Sequence, residues 1–467
     1  MENLDDNFFG SNISELSIRF ETMLKKGQAL FYEVDDLEEL LEHYMMNQQL
    51  ELAARVIETA KEQYPYNKQL SIKEAELLSL TDKTTEALAL LDDVENLEGF
   101  NPDFHMTKAS ILSQCGNYQN AIESLNRALE CAVDEHEVIY MNLAMEHLNM
   151  EDYGQAIKLL KKCVQLNYEN EDALYELAYC FELSKRYDDA VDMFTRVIDQ
   201  APYNAHAWFN LGTSYQAIED FDKALVAFDY AIVIDESFQA AYFNKAGALV
   251  RLNRYAEAIE LYKRSLSFEI LDSLIYFYIG DCYDNLDDHR NALVYFEKAL
   301  KKDDCMAEAW VGASSSLDML NRELEALIYA KKAIELEPEN GDYWCFLAGL
   351  QAKYDLPDDA VVSFEKAIDE GYLLEDVWED FAQLALTIKN AELSESVIVR
   401  GLEIHPDNKL LQVYQSIALY RSNNEDEAFE TLAQVLVQDP ALIEEFILFY
   451  PKGMERQEIQ YLIESMK

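Results

Sequence analysis

The chain has 467 residues, of which 50% are hydrophobic and 12% aromatic, enough apolar side chain to bury a large core and to exclude a wholly disordered chain. Glycine and proline make only 22 of the 467 residues, against about 12% on average, which excludes turn-rich sandwiches and barrels and favours helices. With 38 basic and 89 acidic residues, the net charge of −51 disfavours nucleic acid and membrane surfaces as partners.

Residues 1–33 are expected to form an N-terminal segment that is a short helix or partly disordered. The helix is predicted over residues 12–26, with Leu16 and Phe20 on its apolar side and a stop at Gly27. The acidic start lacks the basic and apolar regions of a secretory signal. The segment either caps the structure that follows or docks on it as an intramolecular ligand.

A repeat of 34 residues follows this segment. Five prolines lie at intervals that are multiples of 34, with one inserted residue: Pro65, Pro202, Pro338, Pro406 and Pro440. Twelve units are predicted to start at residues 34, 68, 102, 137, 171, 205, 239, 273, 307, 341, 375 and 409. Position 20 of these units is alanine in all but one: Ala53, Ala87, Ala121, Ala156, Ala190, Ala224, Ala258, Ala292, Ala326, Ala360 and Ala428, with Ser394 as the exception.

Position 8 is the second column of small residues, interrupted only by Leu41 in the first unit. Each unit also carries two stretches of about a dozen residues with helical apolar spacing, separated by a short polar break such as Glu219-Asp220. This pattern predicts two helices per unit that cross closely. One hairpin cannot bury both of its faces, so neighbouring hairpins must stack into an all-α solenoid.

The sixth unit resembles the tetratricopeptide repeat. The matching residues are Trp208, Leu211, Gly212, Tyr215, Phe221, Ala224, Phe228 and Ala231. The resemblance implies a right-handed superhelix of twelve units over residues 34–442, and residues 443–467 are expected to be capping helices. At position 4, where the family has a large apolar residue, Ser71 and Gln412 depart from the pattern, so the terminal units are expected to be shifted by a helix or loosely packed.

In this family the first helix of each unit lines a concave groove, with positions 2, 5, 6, 9, 12 and 13 directed into it. Carried onto this chain, the resemblance gives an aromatic stripe: Tyr175, Phe209, Phe243 and Phe277 at position 5, and Tyr179 at position 9. It also gives a partial ladder of amides at position 6: Asn142, Asn210 and Asn244. The aromatics either anchor a ligand or cover their neighbours, and the amides either bind a peptide backbone or serve the fold.

Positions 2, 5 and 9 hold eleven acids and no lysine or arginine: Asp35, Glu38, Glu42, Glu76, Asp103, Asp172, Asp281, Glu308, Asp342, Asp376 and Glu379. This charge predicts a neutral or basic ligand. It argues against the clamp by which some family members bind acidic chaperone termini, because that clamp needs lysine at position 5. Lys73 of the second repeat is the only lysine or arginine at positions 2, 5, 6 and 9.

Catalytic and metal-binding motifs were sought without success. The sequence has no phosphate-binding glycine loop, no nucleophile elbow and no His-Glu-x-x-His, and its seven histidines are scattered over different repeat positions. We therefore expect no catalytic residues, no metal and no cofactor. Seven cysteines without a Cys-x-x-Cys pair fit reduced thiols in the cytoplasm.

The sequence thus predicts a cytoplasmic, non-enzymatic scaffold that binds a protein or extended peptide in an acidic groove centred on units four to eight. The expected contact residues are Asn142, Tyr175, Tyr179, Phe209, Asn210, Phe243, Asn244, Phe277 and Asp281. The alternatives are a structural subunit that self-assembles through its ends and an all-helical enzyme. A fold that hosts many functions does not by itself identify the partner.

Overall fold

The computed structural model describes residues 6–27, 29–134, 136–266 and 272–465. Residues 1–5 and 28, which belong to the expected N-terminal segment, and residues 466–467 of the expected C-terminal cap lie outside the described residues. Within the described part the chain forms 27 α-helices and no strand. It divides into two compact units, Met1–Glu236 and Ser237–Lys467.

The first unit contains one N-terminal helix and six pairs of antiparallel neighbours in sequence. Its helices are α1 (Asp6–Lys26), α2 (Val34–Met46), α3 (Leu50–Gln63), α4 (Gln69–Leu80), α5 (Thr84–Glu98), α6 (Pro102–Gln114), α7 (Tyr118–Cys131), α8 (His136–Asn149), α9 (Tyr153–Leu166), α10 (Glu171–Leu183), α11 (Tyr187–Gln200), α12 (Ala205–Ala217) and α13 (Phe221–Ile234).

The second unit contains six further pairs and a C-terminal group of short helices. Its helices are α14 (Gln239–Arg251), α15 (Tyr255–Ser265), α16 (Asp272–Asp284), α17 (His289–Lys302), α18 (Ala307–Met319), α19 (Glu323–Leu336), α20 (Gly341–Lys353), α21 (Pro357–Asp369), α22 (Glu375–Thr387), α23 (Ala391–Ile404), α24 (Lys409–Arg421), α25 (Glu425–Gln438), α26 (Ile443–Phe449) and α27 (Gln457–Ser465). Two 3₁₀ turns, Pro440–Leu442 and Pro451–Glu455, flank α26. The predicted all-α fold of stacked helix pairs is confirmed.

The two columns of small residues meet where the helices of a pair cross. Ser314 at position 8 donates a hydrogen bond of 2.7 Å from its hydroxyl to the carbonyl oxygen of Ala326 at position 20. Ser416 makes the same bond, 2.9 Å long, to Ala428. A side-chain atom that reaches the backbone of the facing helix requires the two helix axes to lie close together. The small residues therefore allow this close crossing in the eleven pairs that carry one at position 8.

In two pairs, glycine at position 8 leaves room for a ring on the facing helix. A Cβ atom added to Gly212 would lie 2.6 Å from Cε1 of Phe228, closer than carbon atoms approach one another. The same clash, at 2.8 Å, faces Gly280 from the ring of Phe296. The ring and the missing side chain fill one space, as close packing of the core requires.

The side chain at position 4 joins each first helix to the loop before it. The indole nitrogens of Trp208 and Trp344 each donate 2.9 Å hydrogen bonds to backbone oxygens six residues earlier, those of Pro202 and Pro338. Trp310 bonds the oxygen of Asp304 in the same way.

Gln412 replaces the indole with an amide that makes the same bond, 2.8 Å long, to the oxygen of Pro406. Its neighbours Leu411 and Tyr414 are buried in the core of the second unit. The last pair is therefore packed in register. The looser packing expected from Gln412 is not found, because a glutamine supplies the donor that the tryptophan otherwise provides.

Both ends of the described chain cover apolar surface. On α1, Leu16, Phe20 and Met23 are buried in one cluster with Tyr44 of the first pair and with Tyr32, which precedes that pair. At the other end, Phe446 and Ile459 are fully buried in the cluster that includes α24 and α25. Stacked repeats expose an apolar face at each end unless further helices cover it.

The turn inside each pair uses one residue in the left-handed conformation. Gly116 occupies it in the third pair, with φ of +71°, and non-glycine residues occupy it in the others: Gln48, Asp82, Glu151, Lys185, Glu219, Asn253, Asp287, Asn321, Asp355, Lys389 and Asn423. Around Lys185, the backbone nitrogen of Arg186 donates to the oxygen of Phe181 at 2.9 Å, which closes the helix end in a Schellman motif.

We expect Gly116→Ala to lower the free energy of unfolding by about 1 kcal/mol, because a Cβ atom disfavours the left-handed region. No atom lies within 4 Å of the added Cβ, so the change isolates backbone strain from steric clash. The matched variant Lys185→Gly removes a Cβ at the equivalent turn and should raise stability by a similar amount. Urea unfolding followed by circular dichroism measures both, and shifts of the same sign would contradict this account.

Candidate functional site

Two exposed tyrosines mark the first helix of the fifth pair, α10. Tyr175 and Tyr179 lie one turn apart and are 68% and 46% exposed, which is high for rings of this size. Asn170 caps the helix by accepting a 2.8 Å hydrogen bond from the backbone nitrogen of Ala173. An ordered helix thus presents two rigid amphipathic rings to solvent, which is how aromatic side chains anchor protein interfaces.

The neighbouring first helix, α8, places apolar side chains and one amide at the same repeat positions. Val138 is 52% exposed, and Met141, Asn142 and Met145 are partly exposed. The two helix starts adjoin, because the amide nitrogen of Asn170 lies 2.6 Å from Oε1 of Glu137. Methionine adapts to irregular surfaces. The first unit therefore presents an apolar surface of methionine and tyrosine with the Asn142 amide among them.

Phe209 and Asn210 on α12 are committed to packing within the first unit. The ring of Phe209 is half-buried and lies 5.9 Å from that of Phe228 on α13. Asn210 is 7% exposed, and its amide nitrogen donates a 3.2 Å hydrogen bond to the backbone oxygen of Leu174 on α10. These two side chains hold α12 against its neighbours.

The second unit has an aromatic cluster on α14 and α16. The ring of Tyr278 lies 5.6 Å from that of Phe243, 5.4 Å from that of Phe277 and 5.7 Å from that of Tyr262. Phe277 in turn lies 5.8 Å from Phe296 on the second helix of its pair. Phe243, Phe277 and Tyr278 remain half-buried, so the cluster offers ring edges to solvent while it fixes the two helices.

Asn244 and Asp281 flank this cluster. The Asn244 amide nitrogen donates a 3.0 Å hydrogen bond to the oxygen of Ala240 on its own helix. Partial burial raises the pKa of Asp281 above its usual value, and the neighbouring Asp284 carboxylate raises it further. Asp284 is held by His289, whose ring nitrogen lies 2.8 Å away, and by the Ser316 hydroxyl at 3.2 Å. Asp281 is thus a half-buried acid without a cation beside it in the described part of the chain.

The first helices elsewhere repeat this electrostatic arrangement. Burial raises the pKa of Glu176 on α10, and Asp172 adds to the effect. Burial and the charges of Asp35 and Glu42 raise the pKa of Glu38 on α2, while Lys73 lowers it. Crowded carboxylates of this kind are stabilised when a cation approaches them.

Lys73, the base at position 6 of the second pair, is neutralised within the fold. Its Nζ lies 2.9 Å from Glu42 and 3.5 Å from Glu76. Two of the acids at position 9, Glu42 and Glu76, are therefore partnered by this lysine in the fold.

The thiols and one acidic turn are the remaining groups with reactive or ligating character. All seven cysteines are free, and burial raises the pKa of Cys163 to about 11 and that of Cys180 to about 12. Thiols with such pKa values are protonated and poor nucleophiles at neutral pH. Asp303, Asp304 and Cys305 bring three candidate ligand atoms within 4.8 Å, but all three residues are exposed on one turn.

Sequence reasoning placed the predicted contact residues on first helices, and it missed two contributors. Tyr278 was not among the predicted contact residues, although its ring joins Phe243 to Phe277. Met145 lies at position 9, where a hydrophobic residue gave no signal. Tyr278 is at position 6 of its repeat, and Phe243 is at position 5 of the repeat before it. Two aromatics in this arrangement are the pattern that would have identified Tyr278.

Comparison with known proteins gives matches to one family. Two models of the tetratricopeptide repeat match, one over residues 141–205 and 209–270 and the other over residues 102–131 and 274–303. None of the helices in the described part of the chain has the length and apolar character that a bilayer crossing requires.

Three solved structures match the chain with TM-scores below 0.4. The APC/C hetero-tetramer Cut9-Hcn1 matches at 16% identity and a TM-score of 0.38, with 86% of this chain and 99% of that chain covered. YrrB, described as a TPR protein with an unusual peptide-binding site, matches at 22% identity and a TM-score of 0.35 over 43% of this chain and 99% of its own. MamA matches at 19% identity and a TM-score of 0.33 over 34% of this chain and 94% of its own.

The family matches agree with the 34-residue period, the two small columns and the stacked helix pairs. Repeats of this family serve in general as scaffolds for protein interactions and are typically not enzymes. Residues 102–131, 141–205, 209–270 and 274–303 of the chain therefore form tetratricopeptide repeats.

Proposed function

We propose that this protein is a non-enzymatic scaffold that holds an extended, neutral or basic protein segment on the face formed by its first helices. The observation that carries the proposal is the combination on that face of exposed or half-buried aromatic rings with carboxylates of raised pKa. A lysine or arginine side chain of the ligand would relieve the repulsion between these carboxylates and stack on the rings.

In the first unit the proposed contacts are the rings of Tyr175 and Tyr179 and the amide of Asn142. The tyrosines are the most exposed of the predicted contact residues. Within the described residues, the Asn142 side chain makes no hydrogen bond, so it is available to a peptide backbone. Phe209 and Asn210 support this surface from α12, since their side chains are engaged with α13 and α10.

In the second unit the proposed contacts are Phe243, Asn244, Phe277 and Asp281. Phe277 and Asp281 lie on consecutive turns of α16, and Phe243 lies on α14. A cationic side chain placed between them gains both a charge partner and an aromatic surface. Asn244 contributes its amide oxygen, because its nitrogen is engaged with Ala240.

Net charge and cysteine content indicate the class of partner and the cellular compartment that we propose. Its net charge of −51 opposes binding to nucleic acid and to anionic membranes, so we propose a protein partner. Seven free thiols without a disulfide fit the reducing cytoplasm. Self-assembly is the competing role, and a mass that rises with concentration in sedimentation would favour it.

We expect a display selection of random dodecapeptides on the whole chain to recover a class rich in lysine or arginine with apolar residues. The double variant Tyr175→Ala with Tyr179→Ala should weaken a peptide of this class by about 2 kcal/mol, roughly thirtyfold, in fluorescence anisotropy, because exposed aromatic anchors carry much of the binding energy. Tyr203→Ala is the control, since this ring is 85% exposed on a loop before α12. Recovery of no basic class would refute the proposal. It would also be refuted if the double variant and Asp281→Asn both bound the peptide with the affinity of the unmodified chain.

We also expect Asp281→Asn to raise the free energy of unfolding at pH 7 by roughly 0.5 kcal/mol. The folded-state pKa of Asp281 lies above the unfolded one, so its ionisation opposes folding once the pH rises through the folded value. The gain should therefore vanish below pH 3, where the aspartate is protonated in both states. Urea titrations at several pH values measure it, with the exposed Glu339→Gln as control, and a gain independent of pH would contradict this explanation.

A further inference from the structure

The second helices α19 and α21 expose aliphatic side chains on their outer surface. Leu324 and Ile328 lie one turn apart on α19 and are 77% and 58% exposed. Val362 on α21 occupies the same repeat position as Ile328 and is 61% exposed. These residues play no part in the first-helix face, and burial of aliphatic surface of this kind is favourable on binding.

Two lysines border this aliphatic strip. Lys331 follows Ile328 by one turn on α19, and Lys366 follows Val362 by one turn on α21. Both side chains are exposed. Neither Nζ makes a hydrogen bond or an ion pair within the described residues, although the chain carries 89 carboxylates. We refer to Leu324, Ile328, Lys331, Val362 and Lys366 as the α19–α21 surface.

The repeat explains why these two lysines are neighbours. One pair later, Arg400 on α23 reaches back to Glu365 on α21, with distances of 2.9 and 3.1 Å between Nη1 and the two carboxylate oxygens. Arg400 and Lys366 share one position of the 34-residue repeat. Glu365 and Lys331 share the position immediately before it. The position that holds the acid partner for Arg400 therefore holds a second base for Lys366.

The inverted pair concentrates positive charge in a chain that is otherwise strongly acidic. Glu365, next to Lys366 in sequence, is already bound by Arg400. The charge of Lys331 and Lys366 is thus left to solvent, beside aliphatic side chains that are also left to solvent. Two adjacent like charges at an exposed site destabilise the fold slightly, and an anionic ligand removes that cost.

We infer that the α19–α21 surface binds an extended protein segment that carries aspartate or glutamate next to leucine, isoleucine or valine. The bond between Arg400 and Glu365 shows that second helices of neighbouring pairs lie within the combined reach of two facing side chains. An extended polyproline II chain advances about 9 Å in three residues. A segment with an aliphatic residue at every third position, each beside an acid, would place its side chains on both helices in register.

Carboxylates suit this surface better than a phosphate. The two lysines lie on separate helices, and each is a single point charge. Tight phosphate sites converge several donors, often bidentate arginines or backbone nitrogens, on one group. The α19–α21 surface instead offers separated charges along an aliphatic strip, which matches separate carboxylates along a peptide.

This ligand has the opposite charge to the one proposed for the first-helix face. The two proposals therefore make independent predictions and fail independently. A scaffold that binds basic and acidic segments on opposite helices of its repeats would hold two partners at once.

The test measures binding of the full chain to a fluorescein-labelled dodecapeptide. In this peptide a glutamate with an adjacent leucine recurs every third residue. We expect saturable binding in anisotropy that weakens with salt. Lys331→Glu with Lys366→Glu should reduce the affinity at least tenfold, and Ile328→Ser with Val362→Ser should do the same. The charge-matched control is Lys26→Glu with Lys185→Glu, and the first-helix variant Tyr175→Ala with Tyr179→Ala should leave this affinity unchanged.

Unchanged affinity in both α19–α21 variants would overturn the inference, as would no binding to the unmodified chain. A peptide of the same composition in scrambled order tests the spacing, and equal affinity for it would refute the proposed register. Sedimentation of each variant tests the competing occupant. A concentration-dependent mass that the lysine reversals abolish would assign this surface to a second copy of the chain instead.

Discussion

The close crossing of the two helices in each pair is the contact on which the rest of this structure depends. Ser314 and Ser416 reach the backbone of the facing helix, which fixes how near the two helices lie. Only small side chains permit this approach, and large rings such as that of Phe228 fit where glycine removes the last Cβ atom. Once the pair is fixed, one face of its first helix and one face of its second helix must remain outside the core. Those two faces are where the candidate binding surfaces lie.

The two outer faces have different charge. On the first helices, burial and neighbouring acids raise the pKa values of Glu176 and Asp281. On the second helices, an ion pair such as that of Arg400 with Glu365 neutralises charge between neighbouring repeats. Where that pairing is replaced by two lysines, a local positive site appears. A solenoid can vary these faces without disturbing its core, because each unit contacts only its neighbours.

Sequence reasoning predicted the helices well because the period constrains them. Small residues at fixed spacing and alternate apolar stretches left one way to bury the apolar faces. Side-chain contacts between neighbouring repeats were not predictable in the same way. The sequence left two roles open for the Asn210 amide, a ligand contact or a part in the fold, and in the fold it bonds Leu174. The polar break in each pair was visible, yet the left-handed residue at its centre was not, because eleven of the twelve are not glycine. The pairing of Lys331 with Lys366 required knowledge of which positions meet between second helices.

The four tryptophans share one repeat position but not one environment. Trp208, Trp310 and Trp344 are half-buried and have their indole nitrogens bonded to carbonyl oxygens. Trp378 is 1% exposed, its nitrogen has no hydrogen-bond partner in the described part of the chain, and the Arg400 guanidinium lies 5.2 Å from its ring centre. An indole in so apolar a site emits at shorter wavelength than its hydrated counterparts. The chain thus carries a built-in optical reporter for the eleventh pair, which distinguishes local opening there from changes elsewhere along the repeats.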